Sequence, residues 1–291
     1  MNLNKIIMCK KAFSLFVVLL FSISATYAQD SSDVILHAQK GEFGIGFNTV
    51  PVFSFFSFVD NKDDDLNRWD LFGTNTFRVK YLISERTALR ASLSVNSSYN
   101  RFGNDVFDDT QNTPDARVTD YATLTSQFYA TTVGVEWRKG SEKIEGVFGT
   151  ELAGMFYYET TKYDYGNSFG LLNQAPTSTT WAKDDNSRQL DVQTSSPSGE
   201  RLKSYSSGAQ YGIGIRPFIG VEYFLASKIS LGVEFGWYFM YSYQESGLET
   251  HEYFIPSVNE TRLRQQPTPQ NRTYATEVDN AQGTIMLMFY F

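Results

Sequence analysis

His251 is the residue in this sequence whose type and polar surroundings best suit a general base. It lies in the stretch 245–252, which also contains Ser246, Glu249 and Glu252, so a Ser–His–acid trio could be assembled there. Such a trio depends on spatial geometry, and polar loops supply these residue combinations freely. We therefore predict that the chain is not an enzyme and has no catalytic residues.

The sequence also has few residues suited to binding a metal, a cofactor or a nucleic acid. Two His and one Cys leave almost nothing for metal or thiol sites. Four aspartates, Asp60 and Asp63–Asp65, could bind calcium, but they lack the alternating ligands and the Gly of an EF-hand loop, so a solvated loop is the preferred interpretation. A pI near 5.0 argues against nucleic-acid binding. We expect no metal, no cofactor and no nucleic-acid partner.

The first 28 residues have the pattern of a signal peptide. Lys5, Lys10 and Lys11 precede the apolar stretch 12–23, and small residues lie before Gln29. The alternative, a transmembrane anchor, would need about 20 apolar residues. We therefore predict export through the inner membrane, with a short segment, 29–40, preceding the folded domain.

Hydropathy predicts no membrane-spanning helix after residue 28. The longest apolar stretches, 50–59 and 285–291, are too short to cross a bilayer as helices. Only helices and closed barrels satisfy the backbone inside lipid, so the exported chain is either a soluble protein or a membrane-spanning barrel. The periodicity of the apolar residues distinguishes the two.

Apolar and polar residues alternate with a period of two in eight segments of the chain. In residues 229–239, Val233, Phe235 and Trp237 fall on one face and Glu234 on the other. Alternation over about ten residues is typical of transmembrane strands. Pro217 interrupts the sixth segment, where we expect a bulge or kink. The eight segments are 42–49, 76–83, 87–96, 129–138, 144–156, 209–224, 229–239 and 281–291.

Charge is confined to one face of these segments. No Asp, Glu, Lys or Arg falls on the apolar face. A barrel with a crowded polar interior explains this pattern better than a β-sandwich, in which the charged faces would be turned to water. Unpaired buried charges are costly, so we expect these groups to pair as a lumen charge network. Arg78, Arg90 and Arg216 are expected to bridge Glu151, Glu222 and Glu234 in an order that the sequence leaves open. The network is predicted to comprise Arg78, Lys80, Arg90, Glu136, Arg138, Glu145, Glu151, Arg216, Glu222 and Glu234, with Glu42 on the same face.

Connections between the segments alternate between tight and long. Short periplasmic turns and long external loops are the pattern of outer-membrane barrels. The fold predicted for residues 41–291 is therefore all-β, an eight-stranded antiparallel up-and-down transmembrane β-barrel with long extracellular loops. The predicted loops are 50–72, 97–126, 158–207 and 242–280.

Together these features resemble a known protein family. The signal peptide, the segment Lys40–Asn48, the alternating hairpins and the terminal Tyr290-Phe291 look like the small outer-membrane β-barrel domain of Bacteroidetes-type Gram-negative bacteria, related in architecture to OmpA- and OmpX-like barrels. The resemblance implies a location in the cell outer membrane, contact with its lipid and lipopolysaccharide, and the use of Tyr290 and Phe291 as a C-terminal signal for the barrel-assembly machinery.

These expectations favour a non-enzymatic outer-membrane protein with a structural, accessory or loop-mediated role, including as a subunit beside a larger outer-membrane complex. The alternatives are transport of small hydrophobic molecules, as in OmpW-like barrels, and enzymatic modification of lipid A through His251. The interior is expected to be plugged, with a narrow conducting pore as the alternative. Aromatic residues of the third loop either form recognition anchors or pack on one another and on the strand ends. They are Tyr157, Tyr158, Tyr163, Tyr165, Phe169 and Trp181.

Overall fold

The predicted all-β antiparallel class is confirmed, although the sheet contains twelve strands rather than eight. The computed structural model describes residues 37–48, 76–111, 113, 115–141, 143–181, 199–278 and 284–291. Within these ranges no helix has the length and apolar character needed to cross a membrane. The strands are β1 (Phe43–Asn48), β2 (Thr76–Ser84), β3 (Thr87–Phe107), β4 (Arg117–Ser141), β5 (Ile144–Asp164), β6 (Glu200–Ser206), β7 (Gln210–Ala226), β8 (Ile229–Gln244), β9 (Leu248–Ile255), β10 (Glu260–Pro267), β11 (Asn271–Val278) and β12 (Thr284–Tyr290).

Parts of the sequence analysis fall outside the described residues. These are the signal peptide, 1–28, most of the segment 29–40, the loop 50–72 and the aspartates Asp60 and Asp63–Asp65.

The strands form one antiparallel sheet that closes into a ring. Pairings lead from β1 through β2, β3, β4, β5, β7, β8 and β12, and β12 pairs again with β1. β6, β9 and β10 continue outward from the far part of β5. β11 pairs with residues 237–244 of β8, and β12 pairs with residues 229–234.

The prediction of loops at 97–126, 158–207 and 242–280 was wrong for much of their length. β3 and β4 remain paired as far as Phe107 and Arg117, and the other segments contain β6, β9, β10 and β11. The sequence conceals these strands because polar residues occur on both of their faces, and β10 is exposed at every position. We call the part formed by 97–107, 117–127, 158–164, β6, β9 and β10 the sheet extension.

Ring strands bury one face and expose the other. On β8, Glu234, Tyr238 and Met240 are buried, whereas Val233 and Phe235 are about two-fifths exposed. The exposed residues are apolar and the charged residues of these strands are buried, the reverse of the usual arrangement in a water-soluble protein.

The strand register shows no bulge at Pro217, one of the two irregularities expected there. The register between β7 and β5 is continuous through the pair Pro217–Thr150. On the other side, the register with β8 is the same at Ile215 and at Phe218, and the pairs at Arg216 and Pro217 are missing between them. The strand therefore tolerates the missing N–H donor without changing which side chains point inward.

Glycines allow β1 to close the ring against β12. A Cβ at Gly44 would lie 2.8 Å from the Tyr290 ring, and one at Gly46 would overlap the Met288 sulfur and lie 2.9 Å from the Leu287 carbonyl oxygen. Two of the inward side chains of β12, Met288 and Tyr290, therefore occupy the volume that larger residues on β1 would fill.

Gly46→Val is expected to destabilise the closed ring because the new side chain overlaps both Met288 and the β12 backbone. Overpacking of this kind costs about 1–3 kcal/mol. The free energy of unfolding should fall by this amount in a urea titration. Gly154→Val is the matched control, since the nearest atom to a Cβ at Gly154 is 3.8 Å away. Equal stability of the two variants would contradict the proposed role of Gly46.

Candidate functional site

Ten charged side chains fill the middle of the ring, and we call them the charge network. They comprise five carboxylates and five cations, and none is more than 6% exposed. Because successive residues of a strand point to opposite faces, each lies at an inward position of its strand. The members are Arg78 and Lys80 on β2, Arg90 on β3, Glu136 and Arg138 on β4, Glu145 and Glu151 on β5, Arg216 and Glu222 on β7, and Glu234 on β8.

Three arginines converge on Glu234. Its carboxylate oxygens lie 3.1 Å from Arg78 Nη1, 2.8 Å from Arg90 Nη1 and 2.6 Å from Arg216 Nη1. Glu151 shares two of these cations, with Arg90 Nε at 2.6 Å and Arg216 Nη1 at 2.9 Å. This part of the network joins β2, β3, β5, β7 and β8.

Lys80 and Arg138 form the second part. Lys80 Nζ lies 2.9 Å from Glu136 and 3.2 Å from Glu222. Arg138 Nη2 lies 3.0 Å from Glu222, and its guanidinium also pairs with Glu145. Arg90 Nη1 is 2.9 Å from Glu136, so the two parts are continuous.

The predicted partners were correct for some of these residues and incomplete for others. In the structure Arg90 and Arg216 contact both Glu151 and Glu234, and Arg78 contacts Glu234. Glu222 pairs instead with Lys80 and Arg138. Glu42 lies just before β1 and pairs with Lys228, whose side chain is 51% exposed, outside the charge network.

Apolar and aromatic side chains close the charge network on both sides. The Phe218 ring centroid lies 3.9 Å from Arg90 Cζ, and the Phe224 and Tyr290 rings pack 5.7 Å apart beside Arg138. An apolar cluster lies toward the sheet extension and includes Met155, Tyr238 and Met240. The interior is therefore filled by side chains at these levels.

The two predicted C-terminal signal residues face opposite ways. Tyr290 is buried, and its hydroxyl donates a hydrogen bond to Glu222. The Phe291 side chain is 70% exposed, while its backbone N–H and C=O both pair with Phe43. The end of the chain is thus fixed at the closing seam, the pairing of β1 with β12, and the Phe291 ring is exposed on the outside of the ring of strands.

An apolar band surrounds the outside of the ring. Twelve residue steps separate Ile144 from Phe156 on β5, about 40 Å along the strand. With the strand tilt of roughly 40° that is typical of barrels, this length corresponds to about 30 Å along the axis of the ring. Tyr129, Phe156 and Tyr211 form a row of rings at one limit, with centroids 6.2 and 5.5 Å apart. Tyr223 pairs with Ile144 at the other limit.

His251 does not form the trio considered from the sequence. Its ring nitrogens lie 3.4 Å from Glu249 and 3.7 Å from Glu200, but the Ser246 hydroxyl donates to the Thr268 carbonyl. Glu252 pairs with Arg201 at 2.7 Å. In the described part of the chain, no group of three or more His, Cys, Asp or Glu could hold a metal ion.

Aromatic residues of the third predicted loop pack against the sheet extension. Tyr163 lies 5.9 Å from Trp181, and Phe169 stacks on Phe254 at 6.3 Å. Arg201 lies 4.1 Å from the Tyr165 ring. These contacts favour the packing alternative over recognition anchors. Burial raises the pKa of Tyr163 to about 12, and burial also raises the pKa of Tyr165.

Buried polar residues that the sequence analysis missed fix the loop after β5. The Asp120 carboxylate accepts hydrogen bonds from the backbone N–H groups of Gly166 at 2.8 Å and Thr179 at 2.7 Å. Asn167 donates to the Phe107 carbonyl at 2.6 Å. Asp120 and Asn167 lie in ordinary polar stretches, so no local sequence signal marks them.

Comparisons with known proteins find no counterpart: no family model, no curated protein and no solved structure matches the chain.

Glu234→Gln is expected to destabilise the protein strongly because three buried arginines share the lost negative charge. Breaking a buried ion pair by removing one partner costs roughly 3–5 kcal/mol. Unfolding free energies from urea titrations measure the effect. Glu260→Gln is the control, because Glu260 pairs with Arg262 where both side chains are about half exposed, and its loss should cost under about 1 kcal/mol. A Glu234→Gln variant as stable as this control would show that the network contributes nothing to folding.

Proposed function

We propose that the chain is an integral outer-membrane protein in which the eight strands of the closed ring form a transmembrane barrel. The observation that carries the proposal is the separation of charge between the two faces. Ten charged residues are enclosed in the ring, while the outward positions of the same strands carry residues such as Phe148, Leu152 and Ile219, each about half exposed. Water-soluble proteins rarely expose such a continuous apolar surface.

The height of the apolar band supports the same proposal. About 30 Å between its limits is comparable with the roughly 25 Å apolar band of outer-membrane barrels. The row of rings at Tyr129, Phe156 and Tyr211 suits a membrane–water interface, where Tyr and other aromatic side chains are enriched. The sheet extension would then project into the aqueous phase.

The filled interior supports a structural role over a conducting one. An eight-stranded barrel is just wide enough for side chains to fill, and here the charge network and the apolar cluster occupy that volume. Transport of hydrophobic molecules is the second candidate, favoured only by the apolar character of the cluster at Met155, Tyr238 and Met240. The five buried cations below this cluster weigh against it.

The loop after β5, which packs against the sheet extension, carries a fixed apolar turn that suits contact with another protein. Gly170 and Asn173 exchange backbone hydrogen bonds at 3.0 Å and so hold Leu171 and Leu172 in a tight turn. Asn173 also donates to Asp109 at 2.8 Å. Leu171 is 53% exposed and Leu172 is fully exposed. A rigid apolar pair loses little conformational entropy when it binds, so we assign the role of an accessory subunit to this protein, with the turn as its contact.

The same proposal implies how the protein is inserted and what surrounds it in the membrane. The barrel-assembly machinery would recognise the exposed Phe291 ring at the closing seam, and lipid and lipopolysaccharide would surround the apolar band.

Isolation from native outer membranes in mild detergent tests both parts of the proposal. We expect the protein to require detergent, to migrate differently in SDS gels before and after boiling, and to retain a stoichiometric companion. The double variant Leu171→Ser/Leu172→Ser should lose the companion and keep the mobility shift. Leu263→Ser is the control, since Leu263 is similarly exposed, at 62%, but lies on β10.

Two results would contradict this proposal in different ways. A protein that is soluble without detergent and shows no mobility shift is not a membrane barrel. A mobility shift without any companion, or a companion retained by the double leucine variant, would remove the accessory role assigned to the turn.

A further inference from the structure

A shallow groove crosses the outside of the ring near its tight-turn end. Its floor is one row of paired outward residues on three neighbouring strands, Gly146 on β5, Val221 on β7 and Val233 on β8. The next row, Phe148, Ile219 and Phe235, forms a ridge along one side. Because the floor residues are small and the ridge residues are large, the surface is recessed between them.

Gly146 determines the depth of the groove at its β5 end. A Cβ at this position would meet only the backbone carbonyl of Lys139, at 3.3 Å, so a side chain here would extend into the groove. Val221 and Val233 are 49% and 40% exposed, and the ridge residues are 41–55% exposed. The apolar surface of the groove is therefore open to whatever surrounds the ring.

Lys139, at the β4 end of the groove, is the one charged residue among the described residues that line it. Lys139 pairs with Gly146 in the sheet, its side chain is exposed, and it lines the groove. Among the residues that the structure describes, no ion pair of Lys139 is present. The groove thus combines an apolar channel with one positive charge at its end.

We propose that this groove binds one anionic phospholipid, with an acyl chain along the channel and the phosphate at Lys139. The proposal rests on the proposed membrane location. From β4 to β8 the groove spans three interstrand spacings, about 14 Å, which suits a single acyl chain. A protein partner would need a much larger contact than this narrow channel provides. The charge at Lys139 matches an anionic headgroup at the membrane interface.

Native mass spectrometry of the detergent-purified protein tests the site with added phosphatidylglycerol or phosphatidylcholine. We expect one phosphatidylglycerol to be retained at detergent concentrations that strip phosphatidylcholine. Lys139→Ala should weaken phosphatidylglycerol binding about fivefold, the effect of one cation near a membrane surface. Gly146→Leu should abolish retention because its side chain fills the channel.

Gly154→Leu is the matched control. Gly154 is also an outward glycine of β5, with its nearest neighbour 3.8 Å from a Cβ, but it does not line the groove. This variant should retain the lipid as the wild type does. Equal retention of both lipids by the wild type, or unchanged retention in Gly146→Leu, would overturn the lipid site. If the SDS mobility shift persists in that case, the barrel stands and only the lipid site fails.

Discussion

Pairing of buried charge inside the ring is the interaction on which the rest of this structure depends. Five carboxylates and five cations occupy an interior where each of them alone would be strongly unfavourable. Their burial is tolerated because Arg90 contacts three carboxylates and Glu234 contacts three arginines. Several short contacts thus offset the free-energy cost of removing each of these two groups from water. The network also connects six of the eight ring strands directly, and Tyr290 adds β12 through its bond to Glu222.

The charge network also constrains strand register. A slip of one residue would exchange the two faces of a strand, so Glu234 would move to the apolar surface and Phe235 into the charged interior. Both changes are unfavourable, which makes the inner network and the outer apolar band two consequences of one alternating pattern. Glycines at Gly44 and Gly46 complete the arrangement, because they leave room for the inward side chains of the last strand.

The alternating pattern made the all-β class and the inward or outward position of individual residues predictable from sequence. It did not reveal β6, β9, β10 or β11, because these strands carry polar residues on both faces and have no apolar period. The pattern could not identify the partners of Glu222 either. Lys80 is 142 positions away in the sequence, and the two side chains meet only because the strands close into a ring. At Pro217 the bulge that was one of the two expected irregularities is absent, because the strand keeps its register on both sides and only its pairs with β8 are interrupted there.

The central claim, that the outer face of the ring contacts lipid and the inner face is enclosed, is tested most directly by a cysteine scan of β5. The sequence has one Cys, Cys9, which lies in the predicted signal peptide, so single cysteines can be introduced across residues 146–156 and spin-labelled. In lipid vesicles we predict a period-two alternation of oxygen accessibility, high at Phe148, Thr150 and Leu152 and low at Gly149 and Ala153. Outward positions that are instead accessible to a water-soluble nickel complex, with no alternation in oxygen accessibility, would contradict the account.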